Sequence, residues 1–185
     1  MLFRSDELNE FYNKKENKNI FQNSQFTSKE KIKKKKILEN EITEELLKDI
    51  KSALKGCLAY DGVGISANQL GINKSFFLIR EDGENFKIYI NPKIHSMSQE
   101  KLKEKEGCLS VPRYSLLVER SNQIKTSWQE IENNKLIKIE KVLTGFDARV
   151  FQHEFDHLQG LSIIDRSCEL NRAERRKILH DLSQR

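Results

Sequence analysis

No stretch of this sequence approaches the 18 apolar residues that a membrane-spanning helix requires, so no span is expected. The first residues include Asp6, Glu7 and Glu10 and no apolar segment. That pattern fits neither a secretory signal nor an Arg- and Ser-rich transit peptide. The three cysteines, Cys57, Cys108 and Cys168, are odd in number and widely spaced, which argues against a disulfide framework. A reducing cytoplasm is the simplest compartment, with an organelle left open. Prolines number two, and no internal repeat is visible. At 185 residues the chain suits one domain with a real core and is too short for two comfortable ones.

What is abundant is charge: 33% of residues, with a formal net of +5. The excess is uneven. Residues 1–40 hold ten Lys and Arg against six Asp and Glu, whereas the rest of the chain holds 23 against 22. A basic polar leader, 1–38, is therefore expected before a single domain, 39–185. The leader's densest part is Lys29-Glu30-Lys31-Ile32-Lys33-Lys34-Lys35-Lys36. Such a run is either a solvated tail or a contact for a polyanion such as RNA. No aromatic residue interleaves the lysines, which weakens the nucleic-acid reading. Leu2, Phe3, Phe11 and Phe21 are more apolar than a disordered tail needs, so part of the leader is expected to pack on the domain.

From about 41 to 58, apolar residues recur at spacings of three and four (Ile42, Leu46, Leu47, Ile50, Leu54, Leu58), which predicts an amphipathic helix. Residues 75–80 and 86–90 read as strands of a hairpin turning at Asp82-Gly83, with Asn91-Pro92 as its stop. Residues 115–128 and 135–143 read as two more strands joined near Asn133-Asn134. Thr144 with Asp147 resembles the capping box of a following helix, which Gly160 is placed to end. Asn171 and Glu174 form a similar pair before a last helix at about 172–183.

Inside the helix that starts near Thr144 the chain reads Gln152-His153-Glu154-Phe155-Asp156-His157-Leu158-Gln159-Gly160. Residues four apart lie on one helix face, about 5.4 Å apart along the axis. His153 and His157 can therefore converge on one ion, with Glu154 leaning over its open side to take a proton from water. Taken alone, H-E-x-x-H leaves packed or solvated histidines equally open. Catalytic metals usually take three protein ligands, and this stretch offers two.

Two further stretches change the balance. Glu106-Gly107-Cys108-Leu109-Ser110 lies between strand-like segments, and Gly62-Val63-Gly64-Ile65-Ser66-Ala67-Asn68-Gln69 follows the first helix. With Gln152–Gly160 they resemble, in order and spacing, the three signature motifs of peptide deformylases: G-φ-G-φ-A-A-x-Q, E-G-C-φ-S and Q-H-E-x-D-H-φ-x-G, where φ is apolar. The first departs in having Ser66 where Ala is commoner. The resemblance covers about residues 40–183 and omits the leader.

The resemblance implies an α+β fold: small antiparallel sheets around a central H-E-x-x-H helix, with an N-terminal and a C-terminal helix packed outside. It implies Cys108 as the third metal ligand beside His153 and His157, and Fe²⁺ as the favoured ion, with Zn²⁺, Ni²⁺ or Co²⁺ also suited to such a donor set. The implied reaction removes the formyl group from the N-terminal formylmethionine of newly made proteins, releasing formate. Metal-bound water attacks the formyl carbon, Glu154 acts as base and then acid, and the Gln69 amide and the Leu109 N–H stabilise the oxyanion. Gly62, Val63, Gly64, Ile65, Glu106, Gly107 and Val150 are implied as substrate contacts, with Phe146 and Phe151 as further candidate walls of an apolar methionine pocket.

Asp156 is expected either to pair with Arg120 or Arg149 or to be a surface carboxylate. Cys57 and Cys168 are expected to be structural. The implied partners are formylmethionyl nascent peptides and, through the leader or the C-terminal helix, the ribosome; a monomer is expected. Two other classes stay in view. One is a zinc endopeptidase whose third ligand lies downstream, at Glu169, Glu174 or His180. The other is a non-catalytic relative that binds RNA through the leader.

Overall fold

The computed structural model describes residues 42–82 and 85–184. The leader, with its lysine run, and Gly83 of the expected hairpin turn lie outside the described residues. The first helix, α1, spans Glu44–Ala59. Thr43 caps it, its side chain accepting from the Leu46 N–H at 3.1 Å, and Glu44 and Glu45 in the first turn oppose the helix dipole. Leu46, Ile50, Ala53, Leu54 and Cys57 form its buried stripe.

Strand β1 (Gly64–Ser66) leads into a 3₁₀ turn, Ala67–Leu70, closed by Gly71 at φ 72°. Strands β2 (Phe76–Asp82), β3 (Asn85–Met97), β6 (Gln123–Glu132) and β7 (Lys135–Thr144) complete a five-stranded antiparallel sheet ordered β1-β2-β3-β6-β7. Strands β4 (Lys101–Gly107) and β5 (Ser115–Ser121) form a separate two-stranded sheet. Helices α2 (Gly145–Leu158), α3 (Ile163–Arg166) and α4 (Arg172–Ser183) follow.

Alternation along β2 makes two cores. Phe76 and Leu78 point to the α1 side, joined by Phe86, Ile88 and Ile90 of β3. Phe77 and Ile79 point to the α2 side, with Tyr89, Trp128, Ala148, Val150 and Phe151. A third cluster, Val111, Leu116, Val118, Ile163, Ile164 and Ile178, seats α3 and α4 against the small sheet. This is the expected α+β arrangement, with α2 central.

Three local expectations need correction, and one strand has no counterpart among them. The stop at Asn91-Pro92 is not a stop: β3 runs on to Met97. The ladder shifts between Ile90 and Lys93 and Asn91 takes φ 49°, so Pro92, which has no N–H to give, sits in an irregularity of the strand. Residues 115–128 are two strands broken at Asn122, because β5 pairs with β4 while β6 crosses to the large sheet. Strand β4 was not anticipated at all. Thr144 makes no side-chain cap: it is the last residue of β7, paired with Gln123, and Gly145 at φ 55° turns the chain into α2.

Elsewhere the turn chemistry is as read. Asn133 and Asn134 take φ 48° and 61°, the left-handed pair of a tight β6–β7 hairpin. Gly160 at φ 74° follows α2, and Asn171 and Glu174 form a reciprocal box at α4, with bonds of 2.8–3.0 Å.

Candidate metal centre

Helix α2 carries His153 and His157 one turn apart, and Gly107 at the end of β4 delivers Cys108 to them. Cys108 Sγ lies 3.2 Å from His157 Nε2, which lies 3.2 Å from His153 Nε2. Among the described residues this is the only group of three His, Cys or acidic side chains placed to hold a metal. Ligands about 2.0–2.3 Å from a tetrahedral ion sit roughly 3.3–3.7 Å apart, and the two 3.2 Å separations, with all three ligand atoms within 4.8 Å of one another, suit such an ion. The endopeptidase alternative finds no support: Glu169 accepts from the Leu117 N–H at 2.8 Å, Glu174 caps α4, and His180 is exposed on α4 and is not grouped with His153 and His157.

The triad is pre-set by its surroundings. Glu106 Oε2 lies 2.9 Å from His153 Nδ1, which turns Nε2 toward Cys108 and His157. Burial pushes the Cys108 thiol up, but the imidazoles of His157 and His153 outweigh it and hold it well below the usual thiol range. Burial pulls His153 down, yet Cys108 and Glu106 raise it to about 10. The lowered thiol favours the thiolate, the form in which cysteine binds a metal.

Glu106 was expected to touch substrate; its carboxylate is instead buried and fully engaged. It accepts from Arg120 Nε and Nη2, both at 2.9 Å, and from Arg149 Nη1 at 2.7 Å. Burial would raise its pKa, but His153 and Arg120 hold it well below the carboxylate range. Asp156 is only 4% exposed, which rules out the surface reading. It pairs with Arg120 at 2.5 Å and with Arg166 at 2.6 Å, while Arg149 reaches Glu104 and Glu106. Gln152 exchanges hydrogen bonds with both backbone groups of Ser121, fastening α2 to β5. Replacing Arg120 by Met should leave Glu106 and Asp156 under-compensated and cost about 3 kcal/mol, the lower end for breaking a buried ion pair. A denaturant titration of folded fraction measures it.

Glu154 is 3% exposed and faces β1. Burial pushes its carboxyl up, opposed by His153, His157 and Ser66. A Cβ added at Gly64 would lie 2.5 Å from Glu154 Oε1, so only glycine leaves this carboxylate its place. Gly64→Ala should retain metal but lower turnover on a formyl-peptide about 10²-fold, the typical consequence of a misplacement near 1 Å; steady-state assays with metal analysis test it. At Gly62 a Cβ would meet Cys57 Sγ and Leu109 Cδ1, each at 2.9 Å. Cys57 is buried under that loop, and burial pushes its thiol up to about 12, consistent with a structural role.

Gln69 is 2% exposed. Its Oε1 accepts from the Ser66 N–H at 2.7 Å and its Nε2 donates to Ser110 Oγ at 2.8 Å, which fixes the amide's orientation. Leu109 follows Cys108 in a turn closed by the Val111 N–H on the Cys108 carbonyl. A Cβ at Gly107 would meet nothing within 4 Å, so open space borders that backbone. Of the expected pocket walls, Val63 and Phe146 are exposed, and Val150, 9% exposed, is a buried member of the α2-side core. Ile65 and Phe151 are 0% exposed and belong to the two cores, so their side chains line no open pocket. Asn68, Ser110 and Arg166 were not singled out beforehand. Asn68 Nδ2 holds the His157 carbonyl at 2.5 Å.

A sequence model of the polypeptide deformylase family matches residues 16–173. The chain belongs to the peptide deformylase family. A curated deformylase from Thermotoga petrophila is 42% identical over 141 residues, 76% of this chain and 84% of that protein. A crystal structure of peptide deformylase from Plasmodium falciparum matches with a TM-score of 0.71 at 30% identity, over 83% of this chain and 91% of that one. A Met-Ala-Ser-bound class I type b deformylase from Acinetobacter baumannii matches with a TM-score of 0.64 at 30% identity, over 72% and 88%. The family match begins at residue 16, inside the basic leader. Deformylases are metal-dependent enzymes, and among the described residues the Cys/His/His triangle is the group that suits that requirement.

Proposed function

We propose that this deformylase removes the formyl group from the N-terminal formylmethionine of nascent polypeptides at the Cys108–His153–His157 centre, releasing formate. The observation that carries the reading is the convergence of that triad with a buried Glu154 and an oriented Gln69. A divalent ion held by the triad supplies Lewis-acid polarisation of the formyl oxygen and a water nucleophile at neutral pH. Glu154 takes a proton from the attacking water and returns it to the leaving amine, acting as base and then acid. Gln69 Nε2 and the Leu109 N–H donate to the oxyanion, each such donor being worth about 2.7–4 kcal/mol in the transition state.

Substrate backbone would run along Gly62–Gly64 and Gly107, with methionine against Val63, Phe146 and Val150. Fe²⁺ is the proposed native ion, the donor set also accepting Zn²⁺, Ni²⁺ or Co²⁺. Turnover of formyl-Met-Ala-Ser by anaerobically purified protein, with elemental analysis of the same sample, tests both points. Absence of formate release at full metal occupancy would overturn the reading.

No described helix is long and apolar enough to cross a membrane. We place the enzyme, as a monomer, in the cytoplasm. Arg172, Arg176 and Lys177 are exposed on α4 and join the leader's lysines as proposed ribosome contacts. Co-sedimentation that survives high salt unchanged would exclude this electrostatic attachment.

A further inference from the structure

Ser66 departs from the commoner alanine of its motif, and its hydroxyl lies on Glu154. The residue is 0% exposed. Its Oγ is 2.6 Å from Glu154 Oε2 and 2.9 Å from the Glu154 backbone carbonyl. The shorter contact falls in the range of a charge-assisted O–H···O⁻ bond, so the single hydroxyl hydrogen is directed mainly to the carboxylate. An alanine would keep the Ser66 N–H that orients Gln69, but it would have nothing to offer Glu154. On the carboxylate's other side, Oε1 packs against the bare α-carbon of Gly64. The two oxygens of Glu154 are therefore not equivalent: one is tied to Ser66 and the other is not.

We propose that Ser66 is a positioning residue for proton transfer. Its hydroxyl donates to Oε2, so Glu154 is held in one rotamer. Oε1 is left as the oxygen that moves the proton. An O–H bond of water breaks as Oε1–H forms; Oε1–H then breaks as the N–H of the leaving amine forms. Ser66 keeps its own hydrogen throughout, and its side-chain hydrogen bonds go to Glu154 and not to Cys108, His153 or His157. The inference rests on the role proposed above for Glu154.

The test is a double-mutant cycle on the full, metal-loaded chain. Ser66→Ala should lower kcat about tenfold, the worth of a hydrogen bond to a charged group, with KM and metal content unchanged. In a Glu154→Gln background the same change should cost clearly less, because the hydroxyl's short bond is to that carboxylate; what remains is its share in the capping box with the Gln69 backbone, lost equally in both backgrounds. A kcat within about twofold of the parent, an equal loss in both backgrounds, or loss of metal from Ser66→Ala would each overturn the proposal. If Glu154→Gln is inactive and Ser66→Ala is silent, only this inference fails; if Glu154→Gln is active, the reading of Glu154 fails with it.

Discussion

Glu154→Gln should bind metal as the parent does and lose about 10²–10⁴-fold in turnover, the range typical for removing a general acid–base. The substitution changes one oxygen to an amide nitrogen and leaves shape and burial intact. Glu154 is not a member of the Cys108–His153–His157 triangle, so metal content should not follow activity. A second readout separates a chemical from a structural effect. Burial raises the native pKa of this carboxyl above its unfolded value. Folding therefore favours the protonated form, and the ionised group costs stability once the pH rises above about 4.3. At neutral pH the metal-free Glu154→Gln protein should be at least as resistant to heat as the metal-free parent, while the metal-loaded variant is nearly inactive. More than about a tenth of parental turnover would show that another group moves the proton.

Cys108→Ala should lose metal and activity together. It removes the one thiolate donor and leaves two imidazoles on α2, fewer than the three protein ligands usual for catalytic zinc-type sites. It also removes the anion that raises His153. Equilibrium dialysis against Zn²⁺ or Co²⁺ should show affinity falling well beyond the 10–100-fold typical of losing a group behind a ligand. Full occupancy in this variant would shift the third ligand elsewhere and favour an endopeptidase-type arrangement, which the engagement of Glu169 and Glu174 opposes.

The parts of this molecule that can be read from the sequence are those whose signals are local. The stripe of α1, the Asn133-Asn134 turn and the Asn171–Glu174 box each declare themselves within a few residues. The same holds for the metal centre: His153, Glu154 and His157 share one helical turn, and Cys108 lies inside a five-residue motif. Strand β4 is illegible for the opposite reason. Its sequence, Lys101-Leu-Lys-Glu-Lys-Glu-Gly107, has only Glu106 buried, so no apolar alternation marks it. It is a strand because β5 pairs with it. Pro92 misled because a strand can carry a proline where its ladder is already irregular. Thr144 misled because its backbone belongs to β7. The charges behind the site were the hardest to foresee. Arg120 was an expected partner of Asp156, but its bond to Glu106, that of Arg149 to Glu106 and that of Arg166 to Asp156 were not; these contacts span 10 to 43 residues of chain, and no local pattern marks them.

The triangle of Cys108 with His153 and His157 also bears on how the chain holds together. All three cysteines are free, so no covalent link joins distant segments among the described residues. An ion shared by Cys108 and His153 would close a loop containing β5, β6 and β7, and with them the seam between the small sheet and the large one. Treated as a crosslink, a loop of that length is worth roughly 4 kcal/mol of unfolded-state entropy. The ion then serves as a detachable fastener in a protein that has no disulfide to do the job. Its melting temperature should climb with free metal concentration, and Cys108→Ala should abolish that dependence. A cell short of the metal would accumulate deformylase that is loosened as well as idle, and so more open to proteolysis.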